Sequence, residues 1–125
     1  MRALLDTHVV LWWLSDSNKL SKAATELIST DVNTCFVSAV SLWEIELKQA
    51  VGKLKIPPSF FSKFQDQDFV ELVISYSHTR ALGQLPDIHR DPFDRMLVAQ
   101  AMVEGLTLMS RDRNILKYEV RTIEA

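Results

Sequence analysis

Apolar and polar positions alternate along the chain in short blocks of two kinds. "ALLD" (3–6), "TCFVS" (34–38), "FVELVI" (69–74) and "LTLMS" (106–110) are brief, β-branched or fully apolar runs. Each predicts a strand. Between them lie longer stretches with helical spacing: "THVVLWWLS" (7–15), "KAATELIST" (22–30), "SLWEIELKQAV" (41–51), "SYSHTRALGQL" (75–85) and "DPFDRMLVAQAMVE" (91–104). "SDSN" breaks the first of these, and Ser21 is the predicted N-cap of the second. Gly52 stops the third and Gly105 the last, since glycine accepts the left-handed conformation that ends a helix. Pro57 and Pro58 open a further short helix over "PSFFSKFQDQ", with proline expected at its first position. "PDIHRD" is a loop, and "YEVRTIEA" is expected as a closing edge strand. Strands that alternate with helices and are apolar on both faces indicate an α/β fold with a mainly parallel central sheet flanked by helices.

The 125 residues suit one domain spanning 1–125, with no repeat, linker or low-complexity segment. No apolar run approaches the ~20 residues of a membrane helix. Asp6 and His8 interrupt the apolar N-terminal run, so it is not read as a signal sequence. Cys35 is the single cysteine, which excludes an internal disulfide and fits a reducing, cytoplasmic setting. The net charge of −2 excludes binding of nucleic acid by bulk positive charge. Were four acids neutralised by a metal, the balance would turn slightly positive.

Several chemistries are absent. The glycines are Gly52, Gly83 and Gly105, too scattered for a dinucleotide or phosphate loop. No G-x-S-x-G elbow occurs. One cysteine and three dispersed histidines (His8, His78, His89) make no structural zinc site, and these histidines read as loop or surface residues.

Four acids stand where the strands of a parallel sheet end, which is where such folds bind ligands. Asp6 closes the first strand, Glu44 lies one turn into the helix after the second, Asp94 lies in the first turn of the helix before the fourth, and Asp112 follows that strand. Gathered carboxylates repel unless a cation relieves them, and oxygen donors suit Mg²⁺ or Mn²⁺. Structural roles compete with this. Ser41 and Glu44 have capping-box spacing, Asp6 can cap the first helix, and Asp112 can start a turn. In "DPFD", Asp91 is read as the cap, Pro92 as the first helical residue and Asp94 as the chemical group. "MLVAQAMV" is apolar nearly all round, so this helix is expected to be buried and its N-terminal acid to face a site.

"LLDTH", "VSAVSLWEIELK", "HRDPFDRMLVAQA" and "LMSRD", in this order, resemble PIN-domain ribonucleases, and most of all the VapC-like toxins of toxin–antitoxin pairs. The likeness runs from about Arg2 to Ile123. It implies a three-layer PIN-like fold and metal-dependent hydrolysis of RNA phosphodiester bonds with Mg²⁺ or Mn²⁺. Carried over by resemblance, Asp6, Glu44 and Asp94 match the three core acids, and Asp112 matches a more variable fourth position that Asn114 could share. Thr7 matches a hydroxyl beside the first acid, where it would help hold water or phosphate. Candidate phosphate contacts are Lys48, Lys53, Arg90, Arg95, Arg111 and Arg113. The resemblance also implies an RNA substrate, a homodimer and a cognate antitoxin. "VVLWWL" and "SFFSKF" are the expected antitoxin surface, with Trp13 or Phe61 exposed.

Two rival functions compete with the nuclease. A non-catalytic PIN-like RNA- or protein-binding module would not need four acids. A phosphotransferase using Asp6 as nucleophile would ordinarily carry a second acid two residues on, where this chain has His8.

Overall fold

The structure is a computed structural model describing residues 1–125. Its centre is a five-stranded sheet built from β1 (Arg2–Leu5), β2 (Thr34–Ser38), β3 (Val70–Leu72), β4 (Thr107–Ser110) and β5 (Thr122–Glu124). The strand order is β3-β2-β1-β4-β5 and every pairing is parallel. The chain steps outward from β1 through β2 to β3, then crosses to the other side of β1 for β4 and β5. The order therefore reverses at β1, and the crevice beyond the ends of β1 and β4 is the place where such sheets bind ligands.

Six α-helices cover the sheet: α1 (Thr7–Ser15), α2 (Lys22–Ser29), α3 (Ala39–Ala50), α4 (Phe60–Gln65), α5 (Tyr76–Leu82) and α6 (Pro92–Glu104). Alternation along β1 divides the core in two. Ala3 and Leu5 face a cluster with Val9, Val10, Leu14, Ala24, Leu27 and Phe60, from α1, α2 and α4. Leu4 faces the opposite cluster, with Leu97, Val98 and Ala101 of α6 and Ile115. Helices, sheet and helices thus form three layers, as the resemblance implies. The run Met96–Ala101 is buried throughout, in keeping with the apolar circumference of α6.

Local signals place most boundaries. Ser21 accepts the Ala24 N–H and caps α2. Gly105 ends α6 at φ 66, and Gly52 follows α3 at φ 75, both left-handed. Two expectations are corrected. The prolines do not enter α4: the Phe60 N–H bonds the Pro57 carbonyl in a turn, and the helix begins at Phe60. The cap of α3 is Ser38, not Ser41, because β2 runs into the helix without a loop and its last residue accepts the Val40 N–H.

Trp13 and Phe61 are half-buried, packed on the first core cluster, so the expectation that one of them is exposed is not met. Trp43 is instead 58% exposed, with Leu47 further along α3 and Val51 just past its end also open. No helix is long and apolar enough to cross a membrane.

Candidate active site

Asp6 is the residue between β1 and α1, and its burial is nearly complete at 4% exposure. It does cap α1, through Oδ1 and the Val9 N–H at 2.9 Å. Burial pushes its carboxyl above the usual range, partly opposed by the Ser110 hydroxyl and the Val9 N–H. Capping and burial thus coexist in one side chain.

Glu44 is no capping residue. With the helix starting at Ala39, it lies in the second turn of α3, 3% exposed. Its Oε2 pairs with Lys48 at 2.5 Å, one turn on. Its Oε1 is buried with no hydrogen-bond partner, an arrangement that is costly unless something else occupies the position. The Lys48 ammonium is held above its usual range by this bond and by the charges of Glu44, Asp91 and Asp94.

At the start of α6, Asp91 Oδ1 accepts the N–H groups of Phe93 and Asp94, at 2.8 and 3.1 Å, with Pro92 at the first helical position. Asp94 stands in the first turn, and its carboxyl is raised to about 7. Burial is the main cause, followed by the charges of Asp91 and Glu44, with Asp6 adding to them and His89 opposing. Asp112 differs. Burial would raise it, but a hydrogen bond from His89 and the N–H groups of Asn114 and Ile115 outweigh that and hold it below the usual range. Asn114 is exposed, and its own N–H serves Asp112.

His89 is the residue the sequence reading missed. It is not a surface histidine: Nε2 lies 3.0 Å from Asp94 Oδ2 and 3.0 Å from Asp112 Oδ2. One donor atom from each of His89, Asp94 and Asp112 lies within 4.8 Å of the others; Asp6 and Glu44, the other two predicted core acids, are not part of that group and reach Asp94 through charge at longer range. His78 is also buried, where it completes the capping box of α5 and pairs with Glu104 at 2.8 Å. Nothing in the spacing of "PDIHRD" marks His89, since the loop that carries it has no periodicity.

Two clefts flank this cluster and share the exposed His8. One, of about 150 Å³, is lined by Thr7, Glu44, Lys48 and Lys53. The other, of about 250 Å³, is lined by Asp6, Trp12, Arg111 and Asp112. The Thr7 hydroxyl is buried and donates to Ser41 Oγ at 3.1 Å. Arg90 and Arg113 are exposed. Arg111 is exposed too and Arg95 is half-buried, but the guanidinium groups of both are bonded to the chain. Arg95 donates to the carbonyls of Leu82, Pro86 and His89 and to the Tyr118 hydroxyl. Arg111 donates to the carbonyls of Lys19 and Ala125 and lies over the Trp12 ring at 4.6 Å.

Residues 3–120 match the family model described as the PIN domain. The chain belongs to the PIN domain family. This PIN domain is 26% identical to Ribonuclease VapC22 of Mycobacterium tuberculosis, in an alignment of 123 residues covering 90% of this chain and 88% of that one. Among solved structures it resembles VapBC2 from Rickettsia felis bound to a promoter DNA fragment, with TM-score 0.75, 18% identity, and coverage of 100% of this chain and 99% of that one. It also resembles DNA-bound VapBC from Salmonella typhimurium, with TM-score 0.72, 17% identity, and coverage of 99% and 98%. At these identities the structural likeness speaks for the PIN fold, which the parallel five-stranded sheet and its helical layers already display.

Proposed function

We propose that this PIN domain is a metal-dependent endoribonuclease that hydrolyses RNA phosphodiester bonds, the toxin of a toxin–antitoxin pair. The observation that carries the reading is the unpartnered, buried Glu44 Oε1, with a second buried acid, Asp6, and the half-buried Asp94 close enough to act on one another's charge. Two buried carboxyls and a half-buried one, with one oxygen lacking any partner, fit a hard divalent cation such as Mg²⁺ or Mn²⁺. Asp6, Glu44 and Asp94 would hold it, with Asp112 at the rim. When bound, such a cation lowers the pKa of water and offsets charge building on the phosphate.

The remaining work falls to the chain. Lys48 and Lys53 line the cleft next to Glu44 and supply positive charge to a site rich in acids. Arg90 and Arg113 are free at the surface to meet the RNA backbone, Arg95 is held by backbone carbonyls and acts on the fold, and Arg111 is held by carbonyls yet stays exposed at the cleft that Asp6 and Asp112 line. No side chain is required as a nucleophile. The family match and the likeness to a ribonuclease support RNA as substrate, and an RNA substrate supports a cytoplasmic setting. The VapBC likenesses support a cognate antitoxin, and with it the homodimer that the VapC resemblance implies.

Cleavage of RNA with Mn²⁺ by the wild type, Asp6→Asn and Glu44→Gln tests the reading. Each substitution is expected to lower the rate by at least ~100-fold, the scale of losing one preorganised group at a charged centre. Circular dichroism should remain that of the folded chain. Cleavage that persists in EDTA, or in either folded variant, would remove the metal mechanism. Binding of RNA without cleavage by the wild type would favour the non-catalytic module.

A further inference from the structure

His89 is fixed from three directions. Its backbone N–H donates to the Tyr118 hydroxyl at 2.8 Å, and its carbonyl accepts from Arg95 at 3.4 Å. Its ring Nδ1 accepts the Asp91 N–H at 3.1 Å. An Nδ1 that accepts carries no proton, so the ring proton sits on Nε2. That nitrogen donates to Asp112 Oδ2 at 3.0 Å and lies at the same distance from Asp94 Oδ2. Arg95 and Tyr118 bind each other and the Pro86 carbonyl, which fastens the whole loop to α6.

Asp112 accepts three hydrogen bonds from the chain. Its Oδ1 accepts the N–H groups of Asn114 and Ile115, at 2.8 and 3.3 Å, and its Oδ2 accepts from His89. This contrasts with Glu44, whose Oε1 has no partner. Three of the four lone-pair sites of Asp112 are thus taken, two on Oδ1 and one on Oδ2, so this carboxylate is less free than Glu44 and is well placed to orient an imidazole. Outer groups of this kind set the direction and basicity of the inner donors.

We propose that His89 is a positioning residue: its ring, locked by the Asp91 N–H while Tyr118 holds its backbone, sets the place of Asp94, and Asp112 acts on the site through His89 instead of as an equal fourth acid. The proposal rests on the nuclease reading for its catalytic consequence, and on this geometry alone for the arrangement itself.

The arrangement has a spectroscopic signature in the metal-free wild type. Long-range ¹H–¹⁵N spectra at pH 8 should show the His89 proton on Nε2 and none on Nδ1. A proton on Nδ1 would overturn the proposal, whatever the protein cleaves. The second measurement is Mn²⁺ binding by calorimetry to the full chain, for the wild type, His89→Ala, Asp112→Asn and the double variant. His89→Ala is expected to weaken Mn²⁺ binding by roughly 10- to 100-fold, the range for losing an outer partner of a metal ligand. His89→Gln, which keeps a donor, should recover part of the loss. The double variant should bind no more weakly than His89→Ala, because Asp112 acts through a ring that is already gone. Multiplying losses, or an unchanged affinity in folded His89→Ala, would overturn the proposal. Should the wild type neither bind Mn²⁺ nor cleave RNA, the nuclease reading fails, and the tautomer alone decides the positioning claim.

Discussion

Asp94 meets two opposing demands. As the third residue of α6 it sits near the positive end of a helix, which favours its ionised form. Burial and the neighbouring charges of Asp91 and Glu44 oppose ionisation more strongly, and the carboxyl is raised to about 7. A divalent cation therefore has to displace a proton from Asp94 below neutrality. Apparent Mn²⁺ affinity is expected to rise by up to about tenfold per pH unit below pH ~7 and to level off above it. Calorimetry from pH 5.5 to 8.5 measures this, and a flat profile would contradict it. The capping by Asp91 and the first-turn place of Asp94 were legible in "DPFD", because cap, proline and third-position acid stand at fixed offsets. That of His89 was not. A loop residue joins a site through tertiary placement, here through Tyr118 and Arg95, and no local spacing encodes that.

At the scale of elements, caps decide where the acids stand. "SAVSLWE" holds two serines three residues apart, and either could cap α3. The sequence favoured Ser41 because Glu44 completes a capping box with it. The direct passage from β2 into α3 selects Ser38 instead, and that shift moves Glu44 from the helix end into the buried second turn. Strand–helix junctions without a loop hide their caps in the strand, which is why this boundary was misplaced while those of α1 and α6 were not. The cap of α6 can be tested. Asp91→Ala removes the acceptor for two N–H groups and is expected to cost about 1 kcal/mol in urea unfolding. Asp91→Asn keeps an acceptor and should stay close to the wild type. Equal losses for both would show that charge, not capping, is the contribution of Asp91.

The whole molecule joins a parallel sheet, whose order reverses at β1, to a set of acids at that reversal. The alternation of strand and helix made this architecture readable, because each element was marked by its own period and punctuation. The cost of the site is a property of the entire chain. Asp6 and Asp94 both have folded-state carboxyls raised above 3.8, so between that value and about 7 the folded state binds more protons than the unfolded state. Stability of the metal-free chain should then fall as pH rises through this window. Asp112 works oppositely, since its lowered carboxyl contributes stability above the usual carboxylate range that is lost only as pH falls below it. The metal-free protein is therefore expected to melt at a lower temperature at pH 8 than at pH 5.5. Asp94→Asn should remove much of that difference, which for Asp94 is of order 1–3 kcal/mol. Mn²⁺ at about 100 times its dissociation constant should add about 2.7 kcal/mol at pH 8, a rise of several degrees that EDTA reverses. At pH 5.5 the same Mn²⁺ concentration should shift the melting temperature far less, because protons hold the site. A metal-free melting temperature that climbs steadily from pH 5.5 to 8 would mean that the buried acids are ionised without cost. The unpartnered oxygen of Glu44 would then need another explanation than a cation.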